Sequence, residues 1–274
     1  MRSKIYAKLE MYNPTGSVKD RTALGLVTAL EKDNIIKENS VLITATSGNL
    51  GISLAFICNQ KGYKCIIVMP ENMSEERKEM ILKYNASLIL SSKEEGMQGS
   101  INKAYDLVNN NSNFIYIDQF TNIANVEAHY TTGKEIVETL PDVNIFINSI
   151  GSGGTITGVS KTLKNINNKI TIIGIEPKSS PLISKGIVGK HKIQGIGANF
   201  IPKILGLNYI DEIDLVSDDE AFYYMNELND LENIPCGISS GANLCIAIKQ
   251  AKKLENKKIV IILPDSNNRY LSIT

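Results

Sequence analysis

The sequence predicts an α/β fold of parallel sheets flanked by helices, with enough chain for two small domains. Three observations carry that reading. Apolar runs of strand length alternate with longer runs of helical spacing along the 274 residues. Most strand-like runs, such as Cys65-Ile66-Ile67-Val68 and, after its leading lysine, Lys258-Ile259-Val260-Ile261-Ile262-Leu263, are continuously apolar, as strands covered on both faces are. Clusters of Gly, Ser, Thr and Asn fall where a strand gives way to a helix, the edge at which open α/β sheets bind ligands.

Lys4-Ile5-Tyr6-Ala7-Lys8-Leu9-Glu10 alternates apolar and polar residues like a strand, and Thr22 to Leu30 recurs with helical spacing. Between them, Asn13-Pro14-Thr15-Gly16-Ser17-Val18-Lys19-Asp20-Arg21 sets one lysine in a short Gly/Ser turn at the start of the helix. A helix N-terminus and the flanking Arg21 both disfavour a protonated ammonium, which leaves more free amine to attack a carbonyl. Lys19 therefore suits a Schiff-base role, while on its residues alone the segment equally describes a solvated lysine at a helix start.

The strand Val41-Leu42-Ile43-Thr44-Ala45 leads into Thr46-Ser47-Gly48-Asn49-Leu50-Gly51 and the helical run Ile52 to Cys58. Hydroxyls, an amide and main-chain N–H groups at a helix start make a site for a carboxylate or phenolate oxygen; the same residue types are the commonest helix caps. Ser87-Leu88-Ile89-Leu90 is a further strand. Val143 to Ile150 is another, and it runs into Gly151-Ser152-Gly153-Gly154-Thr155-Ile156-Thr157-Gly158. Three glycines within four positions let the backbone come close to an anion, and Thr155 adds a hydroxyl, so the loop reads as a cradle for a single phosphate. Its spacing matches neither a Walker loop nor the dinucleotide pattern. After the strand Ile170 to Ile175, Gly237-Ile238-Ser239-Ser240-Gly241-Ala242-Asn243 repeats the strand-turn-helix pattern ahead of the helical stretch Leu244 to Ala251. A serine there can face an aromatic ring nitrogen or cap the helix. His129 has no carboxylate or cysteine at ligand spacing and reads as a capping or packing residue.

Bulk properties exclude some classes. Twenty-nine basic and 29 acidic residues give no net field to draw the chain to nucleic acid or a membrane surface. No metal is indicated, because Cys58, Cys65, Cys236 and Cys245 lack ligand spacing; in apolar contexts they read as buried reduced thiols. Met1-Arg2-Ser3-Lys4 leads into a strand without an apolar leader, and no run reaches the roughly 18 apolar residues of a membrane span, so the chain reads as cytoplasmic.

The four turn segments, in this order, resemble those of the pyridoxal-phosphate (PLP) enzymes of the tryptophan synthase β type, fold type II, and most closely the cysteine synthases (O-acetylserine sulfhydrylases). The resemblance covers nearly the whole chain. It extends to Val68 to Arg77, to Gln119-Phe120-Thr121-Asn122 with Ala124-Asn125, to His191 to Pro202, and to Leu263-Pro264-Asp265 with Arg269-Tyr270-Leu271-Ser272. It implies two domains, each with a twisted, mostly parallel sheet: a smaller mobile substrate-binding domain at 13–122, and a larger PLP-phosphate-binding domain made of 1–12 plus 123–274. Position by position, it implies that Lys19 forms the internal aldimine with PLP and moves the substrate α-proton. It also implies that Asn49 bonds the cofactor 3′-oxygen and that Gly151, Ser152, Gly153, Gly154 and Thr155 hold the cofactor phosphate. Ser239 would face the pyridine nitrogen. Thr46, Ser47, Asn49, Leu50 and Gln119 would surround the substrate carboxylate, and Gly195 and Asn199 would line the active-site entrance.

The activity so implied is β-replacement, making L-cysteine from O-acetyl-L-serine and sulfide through an α-aminoacrylate. Its partners would be a second copy in a homodimer and the C-terminus of a serine acetyltransferase. Three departures accompany the resemblance. Leu50 stands where cysteine synthases usually have threonine, and Asn199 where a small or acidic residue is common. The family also carries some two dozen more residues before the strand that begins here at Lys4, a segment expected to be absent. These departures keep open a cysteine desulfhydrase, a cystathionine β-synthase-like or amine-nucleophile synthase, and a non-catalytic truncated relative.

Overall fold

The computed structural model describes residues 2–46 and 48–270. In chain order the elements are β1 (Lys4–Leu9), α1 (Lys19–Lys32), β2 (Val41–Ala45), α2 (Asn49–Lys61), β3 (Lys64–Pro70), α3 (Glu75–Lys83), β4 (Ser87–Ser91), α4 (Gly96–Asn109), β5 (Phe114–Tyr116), α5 (Ala124–Glu127), α6 (Tyr130–Thr139), β6 (Ile145–Ser149), α7 (Gly154–Ile166), β7 (Thr171–Pro177), α8 (Leu182–Lys185), β8 (Glu212–Val216), α9 (Asp218–Glu232), α10 (Ile238–Lys253) and β9 (Lys258–Leu263). They fall into two units, a smaller one of residues 19–119 and a larger one of residues 2–18 with 120–270. Each holds one sheet whose strand pairs are all parallel, the architecture that the continuous apolar strands predict.

In the smaller unit the strand order is β4-β3-β2-β5. All five residues of β2 are buried because helices cover both faces of the sheet. Ile43, Ala45, Ile66 and Val68 pack with Met97, Ile101 and Ala104 of α4. Ile67, one step along the pleat, faces the other way, where α2 lies close enough that a Cβ on Gly51 would meet its Cγ2 at 3.0 Å.

In the larger unit the order is β1-β9-β6-β7-β8. Period-two alternation divides β9 between two cores. Ile259, Ile261 and Leu263 pack with Met225, Leu228, Ala242 and Ile246 of α9 and α10. Val260 and Ile262 pack with Ile136, Val159 and Leu163 of α6 and α7. From β6 the chain moves one way to β7 and β8, whereas β9 and β1 lie on the other side, so the strand order reverses between β6 and β9. β6 pairs with β7 from Ile145↔Thr171 to Ser149↔Ile175, but with β9 it pairs only from Ile145↔Ile259 to Ile147↔Ile261. The two central strands part at their carboxyl ends.

One element differs from expectation. The segment Gly237–Asn243 is not a turn following a strand: α9 precedes it, Gly237 is the N-cap, and Ser239 to Asn243 already belong to α10. Gly237 takes that role because its N–H is held by the Asp265 carbonyl at 2.9 Å, outside the helix, in extended backbone (φ −83°, ψ 176°).

Helix α7 approaches its neighbours through glycine. A Cβ on Gly158 would lie 2.2 Å from the Val126 carbonyl oxygen and 2.7 Å from the His129 Cβ. An alanine inside a helix ordinarily gains up to about 1 kcal/mol over glycine. Gly158→Ala is expected to reverse that sign, with a loss of about 1–3 kcal/mol from overpacking. Urea denaturation of the variant checks it: a raised midpoint would show that α5 and α6 give way without cost.

Candidate active site

The loop after β6 is shaped for an anion. Gly153 is the N-cap of α7 at φ +85°, a left-handed conformation that suits glycine, and the first bond of the helical ladder runs from the Thr157 N–H to the Gly153 carbonyl at 3.0 Å. Gly154, Thr155 and Ile156 therefore carry first-turn N–H groups that no carbonyl within the helix takes. Their partial positive charge adds to that of a 13-residue helix. Side chains are excluded around them: a Cβ on Gly151 would meet the Gly195 carbonyl oxygen at 2.3 Å, and one on Gly154 the Asn125 Oδ1 at 2.2 Å. The hydroxyls are held from behind. Asn125 Nδ2 donates to Ser152 Oγ at 3.1 Å, and Thr155 Oγ1 lies 3.2 Å from Nε2 of the fully buried His129, whose Nδ1 meets Thr132 Oγ1 at 3.2 Å.

His129 thus does more than the sequence reading allows. It occupies the N-cap position of α6 without a side-chain capping bond, and its ring is spent instead on the loop threonine. The available signal was its spacing, since Asn125 and His129 lie four residues apart and both reach the loop.

The segment after β9 anchors two further parts. Val18 donates its N–H to the Pro264 carbonyl at 2.7 Å, Ser266 donates to the Gly16 carbonyl at 3.3 Å, and the buried Arg269 guanidinium donates to the Thr15 carbonyl. Asn13 closes the turn by donating to Glu10 Oε2 at 2.6 Å and to the Ser17 carbonyl at 3.2 Å. Lys19, half-buried, is the first residue of α1 directly after this clamped turn. The same segment takes the Gly237 N–H, which sets the start of α10 and with it Ser239, 5% exposed. Asp265, beside Gly237, accepts the Tyr270 hydroxyl at 2.6 Å.

In the smaller unit Thr46 and Gln119 stand at the carboxyl ends of the neighbouring strands β2 and β5, both buried. Thr46 Oγ1 accepts the Gly48 N–H at 3.2 Å. Asn49 and Leu50 are the first two residues of α2; Asn49 is half-buried, and Leu50, 1% exposed, has its side chain in the core. Ser47 lies outside the described residues. In the larger unit Gly195 (φ +89°) places its carbonyl against Gly151, and Asn199 is exposed. The structure therefore groups Thr46, Asn49, Leu50 and Gln119 in one unit, and Gly151 to Thr155, Gly195, Asn199 and Ser239 in the other.

The four cysteines are buried and unlinked. The neighbouring Cys58 thiol and then burial raise the Cys65 thiol, and burial pushes Cys236 up to about 12. Both stay protonated at neutral pH.

A glycine loop opening a helix and a lysine at a helix start are features that pyridoxal-phosphate enzymes use. The profile of the pyridoxal-phosphate dependent enzymes matches residues 1–265. Cysteine synthase B of Campylobacter jejuni is 45% identical over 270 residues, covering 98% of this chain and 90% of that protein. The crystal structure of the Entamoeba histolytica cysteine synthase matches with a TM-score of 0.97 at 37% identity, over 99% of this chain and 81% of that one. A hydrogen sulfide-producing enzyme of Fusobacterium nucleatum matches at 0.94 and 41%, over 98% and 92%. This chain belongs to the pyridoxal-phosphate dependent enzyme family, and PLP is its cofactor.

A loop kept free of side chains by close packing at Gly151 and Gly154, with first-turn N–H groups that no helical carbonyl takes, is what a phosphate cradle needs, so the residues present fit the group. Gly154→Ala is expected to raise the PLP dissociation constant by about tenfold or more, the equivalent of 1.4 kcal/mol. A PLP titration followed by absorbance checks it, and unchanged affinity would remove the loop from the phosphate site.

Proposed function

We propose that the chain is a cytoplasmic cysteine synthase, which joins sulfide to the β-carbon of O-acetyl-L-serine with loss of acetate. The observation that carries this reading is Lys19 at the first position of α1, behind a turn pinned at Thr15, Gly16 and Val18. When bound, PLP supplies a carbonyl for amines to join and a conjugated ring that takes up the electron pair left at the substrate α-carbon.

The chain's own residues do the rest. Gly151, Ser152, Gly153, Gly154 and Thr155 would hold the phosphate, and Asn49 would bond the ring's 3′-oxygen. Thr46, Ser47, Asn49 and Gln119 orient the substrate carboxylate. Leu50 offers its main-chain N–H in place of the hydroxyl a threonine would add, a change of about 1 kcal/mol. The Lys19 amine takes the proton from the substrate α-carbon as acetate leaves Cβ with its bonding electrons. After sulfide forms the new C–S bond, Lys19 returns a proton to Cα and cysteine is complete. Ser239 sets which reaction follows proton loss. A neutral hydroxyl does not keep the ring nitrogen protonated as a carboxylate would, so charge is delocalised less and departure of the β-substituent is favoured over transamination.

The relatives support the donor and the nucleophile, and the same reading makes the protein a homodimer whose entrance, near Gly195 and Asn199, takes a serine acetyltransferase C-terminus. Sedimentation of the purified protein and titration with such a C-terminal peptide test those two points. Among the described residues, no helix is long and apolar enough to cross a membrane.

The deciding measurement is the visible spectrum of the purified protein. A cofactor band that shifts with O-acetyl-L-serine and returns with sulfide is expected. A band indifferent to O-acetylserine, with sulfide released from L-cysteine instead, would move the chain to elimination chemistry. Lys19→Ala is expected to lose the wild-type band and to lower turnover by at least about 10²–10⁴-fold from proton transfer alone. Full turnover in that variant would overturn the assignment of Lys19.

A further inference from the structure

Asn243 has no role in the scheme above, yet its surroundings are unusual. It is fully buried on α10, one turn after Ser239. Its Oδ1 accepts the Ser149 N–H at 2.8 Å, and its Nδ2 donates to the Ile262 carbonyl at 2.7 Å and reaches Asn148 Oδ1 at 3.4 Å. Asn148 in turn donates to the Ser149 carbonyl at 2.9 Å. Apart from Asn243 itself, these groups lie just past Ile147↔Ile261, the last paired rung between β6 and β9. A carboxamide presents one acceptor and a donor in the manner of a peptide group, so the side chain stands in as a rung where the strands no longer bond each other. Without it, a buried N–H and a buried carbonyl at the parting would lack their partner.

We propose that Asn243 is the positioning residue of the cofactor site in the larger unit. By holding the parted ends of β6 and β9 it fixes the Gly151–Thr155 cradle relative to Ser239. This rests on the reading of the site as one that takes the PLP phosphate at the cradle and the ring nitrogen at Ser239. The cradle begins two residues after Ser149, and Ser239 shares its helix with Asn243, so one side chain links both attachment points. A rigid ligand held at two points binds well only while their spacing is kept. The Ile262 carbonyl adds a third connection, since Pro264, two residues on, takes the Val18 N–H ahead of Lys19.

The test is PLP titration of the full chain with three readouts: the dissociation constant, the phosphorus NMR shift of the bound phosphate, and the melting temperature without cofactor. Asn243→Ala is compared with Ile246→Ala, which removes packing from the same helix but no polar rung; Ile246 is 1% exposed. Asn243→Ala is expected to weaken PLP binding about tenfold or more and to move the phosphorus resonance. Ile246→Ala should lower the melting temperature while leaving affinity within about twofold. Equal affinity losses in both variants, or none in Asn243→Ala, would reduce Asn243 to a structural residue and overturn the proposal. If Asn243→Ala does not fold, Asn148→Ala removes one arm of the network and should weaken PLP binding about threefold; unchanged affinity there also overturns it. A wild-type chain that binds no PLP would instead sink the reading of the site, so the two failures are distinct.

Discussion

β6 and β9 stop pairing after Ile147 and Ile261, and the loops at that end of the larger unit depend on the parting. Strand order reverses there, so the connections that follow the two strands diverge and leave room beyond their carboxyl ends. The continuation of β6 is the glycine loop that opens α7. The continuation of β9 is the 264–270 segment, which takes the Val18 N–H ahead of Lys19 and the Gly237 N–H ahead of Ser239. The glycine loop, the start of α10 with Ser239 and the turn before Lys19 are thus placed by what two neighbouring strands do once they separate.

Around this parting the larger unit buries groups that are costly to bury. Arg269, His129 and Asn243 are fully buried, and Glu10 and Asp265 nearly so. Each has a hydrogen-bonded partner, which is the condition under which burial is tolerated. Stability alone is a weak reason to keep them, because well-packed apolar residues serve as well. Their locations supply a better one. Arg269 and Glu10 act on the turn before Lys19, His129 on Thr155, Asp265 beside Gly237, and Asn243 on the ends of β6 and β9. These contacts lie at the loops and strand ends; the two cores that flank the larger unit's sheet are mostly Ile, Val and Leu with a few other apolar side chains such as Phe146.

Most strands were legible because burial on both faces writes them as largely apolar runs: β2 follows Val41 to Ala45, and β9 follows Lys258 to Leu263, whereas the mostly half-buried β5 and β8 were not read. The glycine loop was legible because three glycines between a strand and a helix have few other uses. The start of α10 was not, since Gly-Ile-Ser-Ser-Gly has one composition whether it forms a turn or a first helical turn. What settled the matter is the Asp265 carbonyl, 28 residues away in the chain. Distance in sequence hid the rest as well. His129 meets a threonine 26 residues on, and Asn243 meets partners 94 and 19 residues back and forward. Local pattern shows only that a polar residue sits on an otherwise apolar helix, and the identity of its partner is a property of the fold.

A site that handles sulfide is also one in which the chain's own thiols could compete, and burial answers that problem. Cys236 lies three positions before Ser239. Burial pushes it up to about 12, which leaves it protonated at neutral pH. Cys65 is raised through its hydrogen bond to Cys58 and through burial, and Cys245 by burial first. The thiolate is the reactive form, so these side chains behave as small apolar residues that fill core space. In the larger unit, buried polar contacts are spent instead on fixing the turn that ends at Val18, directly before Lys19.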